Sequence, residues 1–271
     1  MHATLHTQSL TARGAEPDRW LYLLHGIYGA GRNWNAVSKR IVEAQPSWGV
    51  LAIDLRGHGR SETGTPPHTV SACAADLRGL PTAGHPVASA VLGHSFGGKV
   101  ATVFAAESEL EALWIADSTP TVRPAGGSAW RMLEVLEGHP GPFLDREGAI
   151  AAVEAEGYAN PVAQWMATNV ERGTDDAWRW RLDTEQMREL LLDFFALDAW
   201  PAMRAAAEVG THVHLLRGVE SSVVTEDDIA RVDALASEGL PVDRTDLQAG
   251  HWLNADAPDR VAELVADGLE D

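Results

Sequence analysis

Val91-Leu92-Gly93-His94-Ser95-Phe96-Gly97-Gly98-Lys99-Val100 is the stretch on which the reading of this chain turns. An apolar, β-branched run ends in Gly-His-Ser-Phe-Gly, and small residues of helical character follow at once from Val100 to Ala106. Strand, tight turn and helix form the context in which a Gly-x-Ser-x-Gly segment raises its serine as a nucleophile. The turn forces that serine into a strained backbone conformation, tolerable only where its neighbours lack side chains, hence Gly93 and Gly97. Ser95 is then expected at the N-terminus of a helix, where free backbone N–H groups can hold a developing negative charge.

Outward from this elbow the chain alternates strand and helix. Trp20-Leu21-Tyr22-Leu23-Leu24 and Val50-Leu51-Ala52-Ile53-Asp54 are continuous apolar runs of the length of buried parallel strands. Val87 to Leu92 leads into the elbow, and Glu111 to Asp117, His212 to Arg217 and Asp243 to Leu247 read as further strands. His2 to Leu10 alternates loosely and reads as edge strand. Helices are expected from Asn33 to Ala44, with Trp34, Val37 and Ile41 on one face, and around Val70 to Leu80. The pattern predicts an α/β fold, with helices on both faces of a mostly parallel sheet.

The alternation stops between Ser118 and Gly210. That stretch has no convincing strand, but helical spacing at Ala129 to Leu136, Arg146 to Glu156 and Thr184 to Phe195. Residues 121–200 are therefore expected to form a helical cap inserted after the strand ending at Asp117. Residues 1–120 and 201–271 then form one core, since both ends of the insert return to the same sheet. The expected cap is rich in aromatics and methionines: Trp130, Trp165, Trp178, Trp180 and Trp200, with Met132, Met166, Met187, Phe194 and Phe195. A few of these are expected to line an apolar pocket and the rest to pack the helices.

Composition narrows the function classes. The 271 residues are 45% hydrophobic and 22% charged, ordinary for a soluble globular protein and enough for a sizeable core. A net charge of −18 offers no basic stripe to neutralise phosphates, so nucleic acid is not an expected partner. One cysteine, Cys73, rules out an internal disulfide and permits the cytoplasm, the expected location. Met1-His2-Ala3-Thr4-Leu5-His6 carries no basic region before an apolar one, so no signal peptide is read there. No run of about 18 apolar residues predicts a membrane span.

A nucleophilic serine needs a base to take its proton, and the base needs an acid to fix its tautomer. The base candidate is His251, in Ala249-Gly250-His251-Trp252-Leu253-Asn254, just after the last predicted strand. Enzymes with this elbow carry the three residues in the order Ser, Asp or Glu, His. Together, His25-Gly26, Asp54-Leu55-Arg56-Gly57-His58-Gly59-Arg60-Ser61, Gly93-His94-Ser95-Phe96-Gly97-Gly98 and Gly250-His251-Trp252 resemble the α/β-hydrolase superfamily. That resemblance covers nearly the whole chain outside residues 121–200. More narrowly, Gly93-His94-Ser95-Phe96-Gly97-Gly98-Lys99 with Gly250-His251-Trp252 is similar to the YbfF-like and abhydrolase-domain serine carboxylesterases.

The acid departs from the superfamily's commonest pattern. Most relatives carry Asp three residues after the glycine that ends the strand before the last; here Leu216-Arg217-Gly218-Val219-Glu220-Ser221 puts Ser221 in that place. A hydroxyl has no charge to offer an imidazolium. Glu220 is adjacent, but neighbouring side chains of an extended segment point opposite ways. Asp117 ends the strand after the elbow helix and faces the same crevice as Ser95. The YbfF-like relatives likewise place Asp on this earlier strand and Ser at the later position. Asp117 is thus the expected acid, with Ser221 as an extra hydrogen-bond partner and Glu220 as the other candidate.

The oxyanion donors are expected to be the backbone N–H groups of Phe96 and Ile27, the latter in the His25-Gly26-Ile27 loop, where His25 organises the loop. Arg56 to Ser61 lacks the Lys and Ser/Thr of a nucleotide-binding loop, and Asp54 with Arg56 is read as bracing the sheet edge. His212 and His214 have spacing that could hold a metal, but on a buried strand they read as satisfied core histidines. No cofactor and no metal are implied.

The resemblance implies a serine hydrolase acting through an acyl-enzyme on Ser95, with a small to medium apolar carboxylic ester or thioester as its small-molecule substrate. A C–C bond hydrolase, a cofactor-free haloperoxidase or perhydrolase, and a lyase on the same triad are the alternatives within the fold. A non-catalytic ligand-binding protein is the alternative outside that class.

Overall fold

The computed structural model describes residues 2–269. Met1, Glu270 and Asp271, which the expected core segments include, lie outside the described residues. In chain order the first elements are β1 (Thr7–Leu10), β2 (Arg19–Leu24), α1 (Asn35–Ala44), β3 (Trp48–Ile53) and α2 (Val70–Gly79). The elbow follows as β4 (Ala90–His94) and α3 (Phe96–Ala105), and then β5 (Ala112–Ala116). Next come α4 (Gly127–Gly138), α5 (Arg146–Ala155), α6 (Asn160–Met166), β6 (Val170–Arg172), β7 (Trp178–Trp180), α7 (Thr184–Ala196) and α8 (Trp200–Glu208). The chain closes with β8 (His212–Gly218), α9 (Glu226–Ser237), β9 (Val242–Leu247), α10 (Leu253–Asp256) and α11 (Pro258–Asp267).

Seven strands form one sheet in the order β1-β3-β2-β4-β5-β8-β9, parallel except for β1, which runs antiparallel to β3. Every residue of β3, β4 and β5 is buried, as expected of strands covered on both faces. Along β2 the side chains alternate between two cores. Leu21 and Leu23 pack with Trp34, Ile41 and Val265, on the side of α1 and α11. Tyr22 and Leu24 pack with Leu77 and Val100, on the side of α2 and α3.

The elbow forms because its glycines leave room for it. Ser95 has φ 52° and ψ −118°, a conformation that L residues rarely adopt. A Cβ on Gly97 would sit 2.5 Å from the His25 carbonyl oxygen, and one on Gly93 would sit 2.0 Å from that of Gly97. Neither gap admits a side chain, so helix and strand close tightly around the serine.

Three local readings differ from the structure. The stretch between β5 and β8, read as strand-free, contains an antiparallel hairpin of β6 and β7 with Glu171 opposite Arg179. Strands of three residues are too short to leave a period in the sequence. On β8, His212 is exposed and His214 partly buried; His214 stacks on Trp114 at 5.1 Å and its Nδ1 lies 2.9 Å from Asp243 Oδ1. The helix on that face, α11, packs with Leu216 and leaves the start of the strand uncovered. Arg56 braces the loop after β3 through Asp76, to which it donates from Nε and Nη2 at 2.6 and 2.8 Å. Asp54 acts separately, accepting the Gly31 and Arg60 N–H groups at 2.6 and 2.8 Å. Among the described residues no helix is long and apolar enough to cross a membrane.

Candidate active site

Ser95, His251 and Asp117 come from three separate places in the sequence and meet at the carboxyl ends of β4, β5 and β9. His251 Nε2 is 3.1 Å from Ser95 Oγ, and His251 Nδ1 is 2.6 Å from Asp117 Oδ2. A carboxylate oxygen accepts, so the imidazole is oriented with Nδ1–H toward Asp117 and its Nε2 lone pair toward the serine hydroxyl.

Asp117 is fully buried and held on every side. Its Oδ1 accepts the Gly218 N–H at 3.1 Å, and its Oδ2 also accepts the Ser221 hydroxyl at 2.5 Å. Ser221 in turn accepts the Val223 N–H at 3.2 Å, which fixes its rotamer. Glu220, by contrast, is exposed, and its backbone N–H is tied to the Ala249 carbonyl at 3.1 Å.

Backbone strain is concentrated here. Of the four described non-glycine residues with φ in the left-handed range, Tyr28 (63°), Ser95 and Asp117 (44°) lie at this site and only Asp176 lies elsewhere. Such conformations persist where packing over-determines them.

Two further histidines set the frame. His94 donates from Nε2 to the His251 carbonyl at 2.7 Å, and the two rings lie 4.8 Å apart. Burial, reinforced by His251 nearby, pushes the His94 pKa down to about 3, so it stands as a neutral strut under the His251 loop. His25 accepts the Leu55 N–H at Nε2 (3.0 Å), so its proton is on Nδ1, which donates to the Gly26 carbonyl at 2.7 Å. Burial lowers its pKa as well. His25 thus ties the loop after β2 to the loop after β3, the organising part read from the sequence.

The site opens into a cavity of about 490 Å³. Ser95, His94 and His251 form its floor, and Ile27, Tyr28 and Trp252 one wall. Met132, Tyr158, Val162 and Trp165, from between β5 and β8, form an adjoining one, with the Trp165 ring 5.6 Å from that of Trp252. No Lys, Arg, Asp or Glu is among the described residues that line it. Ile27 is among the residues that line this space, and Phe96, as the first residue of α3, has an N–H without an intrahelical acceptor. Of the ten aromatics and methionines named from sequence within residues 121–200, Met132 and Trp165 reach the cavity. Trp200 instead donates its indole N–H to Thr121 at 2.9 Å, and Trp180 to the His139 carbonyl at 2.7 Å. Tyr28, Tyr158 and Val162 were not picked out from sequence. Only the tertiary fold brings them to the serine, and a lone Tyr or Val on a loop or short helix carries no signal of that.

Comparison with known proteins places the chain in a family. The model of the family described as "Alpha/beta hydrolase family" matches residues 21–264. The sn-1-specific diacylglycerol lipase ABHD11 of Danio rerio is 27% identical over 257 residues, covering 90% of this chain and 77% of that protein. Lipase LipV of Mycobacterium tuberculosis is 27% identical over 277 residues, 98% of this chain and 97% of its own length. Among solved structures, a marine microorganism esterase superposes with a TM-score of 0.82 at 21% identity, covering 98% of this chain and 100% of its own. With that family's model spanning both the elbow and His251, the chain belongs to the alpha/beta hydrolase family.

Proposed function

We propose that this protein is a serine esterase that cleaves uncharged, apolar carboxylic esters or thioesters of small to medium size. The observation that carries this reading is the unbroken relay from Ser95 Oγ through His251 to Asp117, at 3.1 and 2.6 Å, on the floor of a cavity without fixed charge. Similarity to an sn-1-specific diacylglycerol lipase and to a lipase supports ester chemistry.

In this reading His251 Nε2 takes the Ser95 proton as Oγ attacks the carbonyl carbon. The resulting imidazolium is stabilised by Asp117, whose own charge is held in place by Gly218 and Ser221. The oxyanion of the tetrahedral intermediate is received by the N–H groups of Phe96 and Ile27. His251 then returns the proton to the leaving alcohol or thiol, leaving an acyl group on Ser95. Water, activated by the same imidazole, releases the acid. Residues 121–200 act as the cap that supplies the apolar wall over the acyl chain.

The test is Ser95→Ala assayed with p-nitrophenyl butyrate, alongside labelling of the wild type by a fluorophosphonate. The expected result is loss of turnover by at least ~10³-fold with the fold retained, and a covalent adduct on Ser95. Full turnover in the variant, or no adduct on the wild type, overturns the assignment and favours a ligand-binding role.

A further inference from the structure

Lys99 is a residue for which the proposed chemistry has no use. It lies one helical turn beyond Ser95, is only 1% exposed, and is the one charged side chain in α3, Phe-Gly-Gly-Lys-Val-Ala-Thr-Val-Phe-Ala. Burying an ammonium is expensive unless every proton finds an acceptor. Here each does. Nζ donates to the backbone carbonyls of Thr121, Phe194 and Leu197 at 3.1, 2.7 and 2.8 Å.

The identity of those acceptors gives the contact its meaning. Thr121 is where the chain leaves the sheet after β5, and Phe194 and Leu197 are where it comes back toward β8. The outgoing and returning runs are also bonded to each other, Arg123 N–H to the Phe195 carbonyl and Ala199 N–H to that of Pro120, both at 2.9 Å. On the far side, Asp228 of α9 gathers the outgoing run through Thr119, Thr121 and Arg123, at 3.0, 2.5 and 2.9 Å. The Lys99 ammonium also lies 4.7 Å from the centre of the Phe194 ring, which packs at 5.8 Å on Phe96, the residue next to the serine.

We propose that Lys99 is a positioning residue that locks both ends of the 118–199 segment onto the nucleophile's helix. It thereby sets how far the wall of Met132, Val162 and Trp165 stands from Ser95, and so which chain lengths are accepted. This inference rests on the reading of Ser95 as the nucleophile. A substrate long enough to touch that wall depends on the lock, whereas one that meets only the floor does not.

The experiment is Lys99→Met, assayed with p-nitrophenyl acetate and p-nitrophenyl octanoate and followed by hydrogen exchange. The expected outcome is an octanoate KM raised about tenfold or more and an acetate KM within about threefold. Exchange should quicken across 118–199 and stay unchanged in the sheet. An unchanged octanoate KM, or equal losses on both esters, overturns the proposal. If the wild type turns over neither ester, it is the Ser95 reading that fails. The exchange comparison then decides the lock by itself, an unaltered 118–199 overturning it.

Should the variant not fold, the wild type carries the test. Burial lowers the Lys99 pKa to about 8, against the carboxylates of Asp198, Asp228 and Asp193 and with the help of Arg123. Discharging it between pH 7 and 9 removes a donor from the lock. The octanoate KM should then rise while the acetate KM stays level, and parallel behaviour of the two overturns the proposal.

Discussion

Ser221 Oγ donates to Asp117 Oδ2 at 2.5 Å, spanning 104 positions of sequence to meet the same oxygen that faces His251. The superfamily's usual acid position is therefore occupied by a residue that supports the carboxylate and cannot replace it. Asp117→Asn is expected to lower kcat by roughly 10³–10⁴-fold, because an amide can present N–H to Nδ1 and favour the wrong tautomer. Glu220→Gln should stay within about threefold of wild type. Steady-state kinetics on the pair decides the assignment, and the reverse ranking would move the acid to Glu220.

Ser221→Ala removes one of the hydrogen bonds that hold the Asp117 carboxylate while leaving its charge. A loss of about tenfold in kcat is expected, with KM little changed, in keeping with the weakening of a charge-assisted hydrogen bond. A loss as large as that of Asp117→Asn would mean that the hydroxyl does more than support.

The cavity predicts discrimination by charge. An acyl chain ending in a carboxylate would be buried without a cation to meet it, at a cost of several kcal/mol. p-Nitrophenyl butyrate should be preferred over the p-nitrophenyl hemisuccinate monoester by about 100-fold or more in kcat/KM. Comparable values would show that the charged end finds a partner outside the lining residues.

Stability should fall in acid. Burial lowers the pKa of His25 and pushes those of His58 and His94 down to about 3. Below about 6.5 the unfolded chain binds protons that the folded chain refuses, so this stability is full above that pH and is lost as pH drops toward 3. His58 and His94 each cost roughly 2.7 kcal/mol two pH units below 6.5, and each kcal/mol lowers Tm by about 2–4 °C. Melting curves at pH 7 and 4.5 test this, and a flat or rising Tm in acid would contradict it.

Ser95, His251 and Asp117 were legible because each is announced by constrained neighbours. Gly93 and Gly97 are required by the elbow, the apolar runs mark where strands stop, and an Asp at the end of such a run faces the crevice. Residues that matter through three-dimensional placement were not. Tyr28 and Val162 have no local pattern that aims them at a serine. Lys99 was in view as part of the elbow, yet its three acceptors lie 22 to 98 residues away and are main-chain atoms, which no side-chain pattern encodes. His212 and His214 were misplaced because a run of strand residues says nothing about how far the covering helix extends.

The backbone N–H of Ser95 donates to the Ala116 carbonyl at 3.0 Å, and that of Asp117 to the Leu216 carbonyl at 2.7 Å. Both residues are therefore rungs of the central ladder as well as members of the site, and the spacing between them is inherited from strand pairing. Loops around the cavity can breathe without pulling this pair apart. Only opening of the sheet would do so, which puts separation of Ser95 from Asp117 among the rarer openings of the molecule.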